Sequence, residues 1–267
     1  MMQNRYLFQE ISSAYKEKMV LIGGPRQVGK TTLTLQLLAL NKKIDFEMKL
    51  KNHPAYLNWD ISNHREQIKK NELPSGENLI IFDEIHKYKN WRNFLKGFYD
   101  QYYNERQCLV TGSARLDYFR KGGDSLLGRS WYYRLHPLSH REVSSQSQTK
   151  DLKQLFEFGG FPEPFLKSNE TFSRRWRQER NVRIIREDIR DLENVKDLSL
   201  LELLLETLPS KVGSPLSVNS IREDLLVSHA TVERYITMFD NLYLTFRIPP
   251  FGSPKIRAVK KEQKIYF

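Results

Sequence analysis

Two short stretches hold the residue types that can act on a phosphate ester. The first is GPRQVGKT, Gly24 to Thr31, between an apolar run, MVLIG (19–23), and a helix-forming run, TTLTLQLLALN (31–41). It matches the phosphate-binding P-loop pattern in full. Gly24 and Gly29 permit backbone torsions and a close approach that a side chain would block. The backbone amides of the loop that contains Gly24, Pro25, Arg26, Gln27, Val28 and Gly29 then face phosphate oxygens. Roughly half a unit of positive charge at the helix N-terminus helps them. Lys30 would reach the β- and γ-phosphates and the Thr31 hydroxyl would hold Mg²⁺, with Thr32 beside them. The competing reading is an ordinary strand–turn–helix junction that happens to match.

The second stretch is LIIFDEIHKYKNW (79–91), where an apolar run ends in two carboxylates, Asp83 and Glu84. Buried acids are costly unless something satisfies them. In a P-loop protein the magnesium ion needs a carboxylate from the end of a nearby core strand, a role that suits Asp83. Glu84, one residue on, points elsewhere and can polarise a water for in-line attack on the γ-phosphate. Helix-capping acids are the structural alternative. TGSA (111–114) ends the next expected strand, and Ser113 is the candidate to sense the γ-phosphate, against a turn residue bonding its own backbone. Together the motifs point to nucleotide hydrolysis.

The elements that position these residues follow from hydrophobic patterning. Strands are expected at 19–23, YLNWD (56–60), LIIF (79–82), QCLVTGS (107–113) and SWYYRLHPLS (130–139). Trp91, Phe94, Leu95, Phe98 and Tyr102 fall at helical spacing between the third and fourth. Alternating strands and helices predict a three-layer α/β core with a parallel sheet. Small polar residues in SSQSQTK (144–150) read as a linker, and GGFPEPF (159–165) reads as a turn because of its two Gly and two Pro. Helices follow at 172–192, at LLELLLETL (200–208) up to Pro209, and as a helix–turn–helix in SVNSIREDL and SHATVERYITMFDN. Strand-like LYLTFRI comes next.

In that order, GPRQVGKT, YLNWD, IIFDEIHKYKNW, TGSA, LLGRSWYYRLHPLS and GGFPEPF resemble the AAA+ ATPases. More narrowly they resemble a prokaryotic family with a P-loop core, a helical lid, a winged helix and a C-terminal nuclease-like domain. The resemblance implies ATP rather than GTP, and no guanine-selective motif is present. It also implies an arginine finger before the fifth strand, matched by Arg129 of LLGR, which would act across a subunit boundary in a self-assembled complex. A surface arginine is the alternative. The organisation expected is an ATPase core over 1–145, a lid over 149–198 and a winged helix over 199–253. Residues 254–267 would be a basic tail or the start of a further domain, with KIYF as its first strand. No nuclease motif is carried over. DEIH (83–86) also spells a helicase DExH box, but that reading needs a second α/β domain, and the rest of the chain reads as helical.

Charge bears on partners. The chain has 43 Lys and Arg against 32 Asp and Glu, a net +11 in 267 residues, which suits a polyanion. Seven arginines lie between Arg174 and Arg190, of which Arg175, Arg180, Arg183, Arg186 and Arg190 fall largely opposite a face of Val182, Ile185, Ile189 and Leu192. Glu179 and Glu187 among them favour an ion-paired solvated face over one that tracks phosphates. Ser228 reads as the N-cap of the second helix of the pair. Val232, Ile236 and Phe239 would face inward, and His229, Thr231, Arg234 and Tyr235 would lie nearest DNA bases. The four tryptophans read as core and His86 as a surface residue. One cysteine, Cys108, excludes an internal disulfide, and no apolar run is long enough to span a membrane, so a cytoplasmic setting is expected. The alternative to an ATPase is a nucleotide-gated switch that recruits DNA or a protein with little turnover.

Overall fold

The computed structural model describes residues 5–112, 126–143, 148–189, 198–251 and 263–267. Packing divides the chain into two compact units, Met1–Glu170 and Thr171–Phe267. In the first unit, helix α1 (Phe8–Ala14) precedes strand β1 (Met19–Gly23), and the P-loop leads into helix α2 (Lys30–Lys42). Then come β2 (Tyr56–Asn58), α3 (Ser62–Lys70), β3 (Leu79–Asp83), α4 (Trp91–Tyr102), β4 (Gln107–Thr111) and β5 (Ser130–Arg134). The five strands form one sheet in the order β2-β3-β4-β1-β5, with every pairing parallel.

Side-chain alternation explains the three layers. Val20 and Ile22 of β1, Leu79 and Ile81 of β3 and Leu109 of β4 join the cluster that holds Leu33, Leu35, Leu37 and Leu38 of α2 and Ile11 of α1. The alternate residues of the same strands, Met19, Leu21, Ile80, Phe82, Cys108 and Val110, join the opposite cluster with Ile68 of α3 and Trp91, Leu95 and Phe98 of α4. A strand buried on both faces needs a continuous apolar run rather than alternation, and that is what 79–82 and 108–110 supply. The α/β core expected from the sequence is therefore present. Its strands are shorter than the apolar runs suggested: β2 stops at Asn58, β4 at Thr111 and β5 at Arg134, well before Pro137.

Two details differ from the sequence reading for local reasons. GGFPEPF is not all turn: helix Pro162–Lys167 starts inside it. Pro162 stands at the first helical position, where a missing N–H costs nothing. Trp131 is not core but 44% exposed, because β5 is an edge strand, and the Lys18 ammonium lies 4.5 Å from its ring centroid. Trp59, Trp91 and Trp176 are buried as expected. After β5 the unit continues through helices His140–Val143 and Gln148–Phe158.

The second unit is mainly helical. Glu170–Arg183 runs into a π-helical turn, Ile184–Ile189, and the wider turn shifts the face that packs inward. Ile184 joins Ile185 and Ile189 in being buried, while Val182 is 46% exposed, contrary to the strict helical spacing. Arg190 and Leu192 lie outside the described residues. Helix Leu198–Thr207 ends before Pro209, and Arg186 reaches its Glu202 at 3.3 Å. Helices Val218–Leu225 and His229–Asn241 follow, each capped by a serine: Ser217 Oγ accepts from Ser220 N, and Ser228 Oγ from Thr231 N. Val232, Ile236 and Phe239 are fully buried.

Strand β6 (Phe246–Ile248) pairs antiparallel with β7 (Lys264–Tyr266), and Pro215 bridges to Lys264. KIYF is thus a strand, paired with β6 in this unit. Ile265 at its centre is fully buried. No helix among the described residues is long and apolar enough to cross a membrane.

Candidate functional site at the carboxyl ends of the strands

Because all five strands run the same way, their carboxyl ends fall on one edge. Register aligns Ile22 with Thr111, Phe82 with Val110 and Asn58 with Asp83. The chain leaves β1 for the far strand β2 and later returns on the other side to β5, so the topology reverses at β1. Such a switch point opens a crevice at the strand ends, where ligands bind in open α/β sheets.

The P-loop sits there. Gly24 has φ +138°, and a Cβ on it would come 2.3 Å from the Leu135 carbonyl oxygen, so both torsion and space demand glycine. Gln27 also has positive φ, at 61°, and its side chain is exposed, while Val28 is fully buried. Gly29, φ +95°, caps α2, so the loop's amides and the N-terminus of a 13-residue helix share one place. Pro25 is buried and Arg26 half-buried. Lys30 is only 7% exposed, its Nζ donating to the carbonyl oxygens of Gly24 (3.0 Å) and Pro25 (2.7 Å). Thr31 and Thr32 are half-buried at the start of α2.

Asp83 is 2% exposed and is the hub of the site. Strand parity places it on the α2 face with Leu79 and Ile81. Its Oδ2 accepts from the Thr31 hydroxyl at 3.0 Å, the Asn58 amide at 3.3 Å and the Tyr56 phenol; its Oδ1 accepts from the Thr111 hydroxyl. Burial, reinforced by Asp83, holds the Tyr56 phenol far above its ordinary range, so it is a fixed donor. Strand β4 lies between β1 and β3, and Thr111 at its end bridges them, with Glu84 N donating to its hydroxyl at 3.4 Å. The oxygens suit a divalent cation beside a phosphate loop: the Thr31 hydroxyl and the Asp83 carboxyl lie together, and the loop amides beside them suit phosphate oxygens.

Glu84 leaves the strand with φ +56°, a left-handed turn that a non-glycine residue adopts at some cost. Its carboxylate oxygen lies 3.7 Å from both His86 Nε2 and Lys87 Nζ. Burial pushes the Glu84 carboxyl above the ordinary glutamate range; Lys30 and Lys87 draw it back, and Asp83 and Asp60 add to the rise. Lys87 is itself held by Asp60, at 2.8 and 2.6 Å to its two oxygens. His86 is 5% exposed, not a surface histidine, because the short 3₁₀ turn Ile85–Lys87 folds it back.

The remaining sequence candidates lie elsewhere. Ser113 falls outside the described residues; Thr111, two positions earlier, is the hydroxyl seen at the end of β4. Arg129 precedes β5 and its carbonyl accepts from Met19 N, so it stands by the amino end of β1. The P-loop leaves the other end of that five-residue strand, about 16 Å away at ~3.3 Å per residue. Arg129 makes a two-pronged ion pair with Asp100 of α4 (2.8 and 3.4 Å), which holds the Asp100 carboxyl below its usual range. In the second unit His229 and Arg234 are exposed and Thr231 half-buried, but Tyr235 is only 4% exposed and is removed from any base-contacting set. Sequence reasoning missed Tyr56, Asn58 and Thr111. The available signal was parity, since alternate residues at the ends of parallel strands converge on one edge.

Residues 16–144 match the AAA domain family. That stretch holds the P-loop and the five-strand parallel sheet, an arrangement consistent with a P-loop AAA+ core. Residues 149–267 match a domain of unknown function, DUF8612. Among relatives, the uncharacterized protein MJ1544 of Methanocaldococcus jannaschii is 23% identical over 255 residues, covering 88% of this chain and 57% of that protein. The uncharacterized protein Rv2008c of Mycobacterium tuberculosis is 23% identical over 252 residues, covering 94% of this chain and 54% of that protein. The chain therefore spans little more than half the length of these curated relatives. A solved structure, the Aeropyrum pernix ORC1 protein in complex with DNA, is similar with a TM-score of 0.46 and 12% identity over 97% of this chain and 87% of that one.

The raised Glu84 carboxyl gives a direct test. In the nucleotide-free protein, carbon-13 titration of Glu84 should show it taking up a proton at higher pH than an ordinary glutamate. Lys87→Met should move the midpoint further up, because a cation that favours the charged form is gone.

Proposed function

We propose that this chain binds magnesium–ATP at the carboxyl edge of the sheet and hydrolyses it, and that hydrolysis moves a helical lid against the core. The observation that carries the reading is the Thr31 hydroxyl, first turn of the P-loop helix, 3.0 Å from the buried carboxylate of Asp83. A cation bound there would neutralise charge on the β- and γ-phosphate oxygens. The loop amides from Gly24 to Gly29 and the Lys30 ammonium orient the phosphates. Thr31 and Asp83 would hold the cation, Thr31 through its hydroxyl oxygen and Asp83, whose oxygens accept from four protein donors, by fixing that hydroxyl. Glu84 accepts the proton of the attacking water, a task that a raised carboxyl performs better near neutral pH. Ser113 remains the proposed sensor of the γ-phosphate, and Thr111 ties that strand end to Asp83.

Arg129 serves in trans on this reading, since it stands at the opposite edge of the sheet from its own loop. The lid is assigned to 149–198 and a winged helix to 199–253. The helix–turn–helix order, the two serine caps and strand β6 support the second assignment. DNA is the proposed partner of that module, through exposed His229 and Arg234 and the net charge of +11.

Lys30→Ala should abolish nucleotide binding by calorimetry, and Glu84→Gln should keep binding while turnover drops by two to four orders of magnitude, about the contribution of a general base. Turnover retained in Glu84→Gln removes that residue from its role. Arg129→Ala should lower turnover only at concentrations where subunits assemble; a loss that persists in dilute monomer would exclude action in trans. DNA affinity should fall steeply between 50 and 200 mM salt, and Arg234→Ala should weaken it. Steep DNA binding with negligible turnover would instead favour a nucleotide-gated switch.

A further inference from the structure

Arg5 lies just before α1, is 7% exposed, and has no part in the motifs above. Its guanidinium is committed in three directions. Nε donates to Glu142 Oε1 at 2.7 Å, one terminal nitrogen to the Val28 carbonyl at 2.6 Å, and the other to the His136 carbonyl at 2.5 Å. Glu142 is anchored in turn. Its Oε1 also accepts from Tyr6 N (3.1 Å), and its Oε2 from Ser139 N (2.8 Å) and Ser139 Oγ (2.9 Å). Burial pushes the Glu142 carboxyl up, but the donors from Arg5, Ser139 and Tyr6 outweigh it and hold it below the ordinary range.

A buried ion pair is a poor device for stability alone, because desolvation cancels much of the attraction and apolar residues of similar volume serve as well. What the planar guanidinium does supply is direction. Val28 is the loop residue before the helix-capping Gly29. In a trans peptide the C=O and the next N–H point opposite ways. A donor that draws the Val28 oxygen outward therefore turns the Gly29 N–H inward. We infer that Arg5, braced by Glu142, is a positioning residue for the phosphate loop, fixing the Val28–Gly29 peptide so that its amide faces bound phosphate. The inference rests on the nucleotide-binding reading above and adds a residue to it. The position of Gly29 agrees: a Cβ there would lie 3.5 Å from the Arg5 nitrogen, so the guanidinium is laid directly along the peptide it directs.

The test uses the full chain, with magnesium–ATP as the probe. Arg5→Met should raise the calorimetric Kd about tenfold to a hundredfold, the range for losing hydrogen bonds from a charged group. Arg5→Lys, which cannot reach three acceptors at once, should fall between, and Glu142→Gln should shift Kd in the same direction by less. KM should rise more than kcat falls. Should the methionine variant fail to fold, the lysine and glutamine variants carry the measurement. The nitrogen-15 resonance of the Gly29 amide, read without nucleotide, should move in all three. Wild type that binds no magnesium–ATP would sink the nucleotide-binding reading. Variants within twofold of a binding wild type, or an unmoved Gly29 amide, would sink the role of Arg5 alone.

Discussion

A carboxylate taken out of water must be met by donors, and the core of this protein is arranged around one such meeting. Asp83 at 2% exposure accepts from α2, β2 and β4 at once, through Thr31, Tyr56, Asn58 and Thr111. Leaving a buried charge short of a partner costs on the order of 3–5 kcal/mol, a large share of a domain's whole stability. The four donors are therefore fixed to within hydrogen-bond distance, and with them the elements that carry them. One requirement thus sets both the lateral spacing of the strand ends and the place where α2 begins.

The rest of the site follows from the parallel sheet. Strands that all point one way put their polar last residues together, and the reversal at β1 leaves a crevice just where the glycine loop emerges. Among the departures from ordinary backbone that mark the same place are Gly24, pressed against the Leu135 carbonyl, and Glu84, in a left-handed turn. The second explains how two adjacent acids take different parts. Asp83 keeps strand parity and is saturated by donors; Glu84 breaks it and keeps a poorly solvated carboxyl beside Lys30, His86 and Lys87.

Much of this was legible in the chain. The loop pattern, the DE pair and the strand order of apolar runs depend on local residue types, so GPRQVGKT, Asp83 and the buried strands could be read directly. The donors to Asp83 could not, because Tyr56 and Thr111 look like ordinary strand residues until register brings them to one edge. Strict helical spacing misplaced Val182 because a π turn intervenes. Similar spacing put Tyr235 among surface residues, although its ring is buried with Val232 and Ile236. Trp131 looked like core because an edge strand and an interior strand share the same composition. Arg5 gave no signal at all: its partners are 23, 131 and 137 residues away.

Those separations bear on how the protein is made. A ribosome releases the phosphate loop early, but the carboxylate that braces Arg5 against it is translated 114 residues after Val28 (142 − 28). At roughly 5–20 residues per second, that is a delay on the order of ten seconds. During most of it strands β2, β3 and β4 are being added, while β5 and the segment leading to Glu142 do not yet exist. Its final shape is acquired only as the first unit nears completion, so a nascent chain stalled before that point carries the motif without its brace.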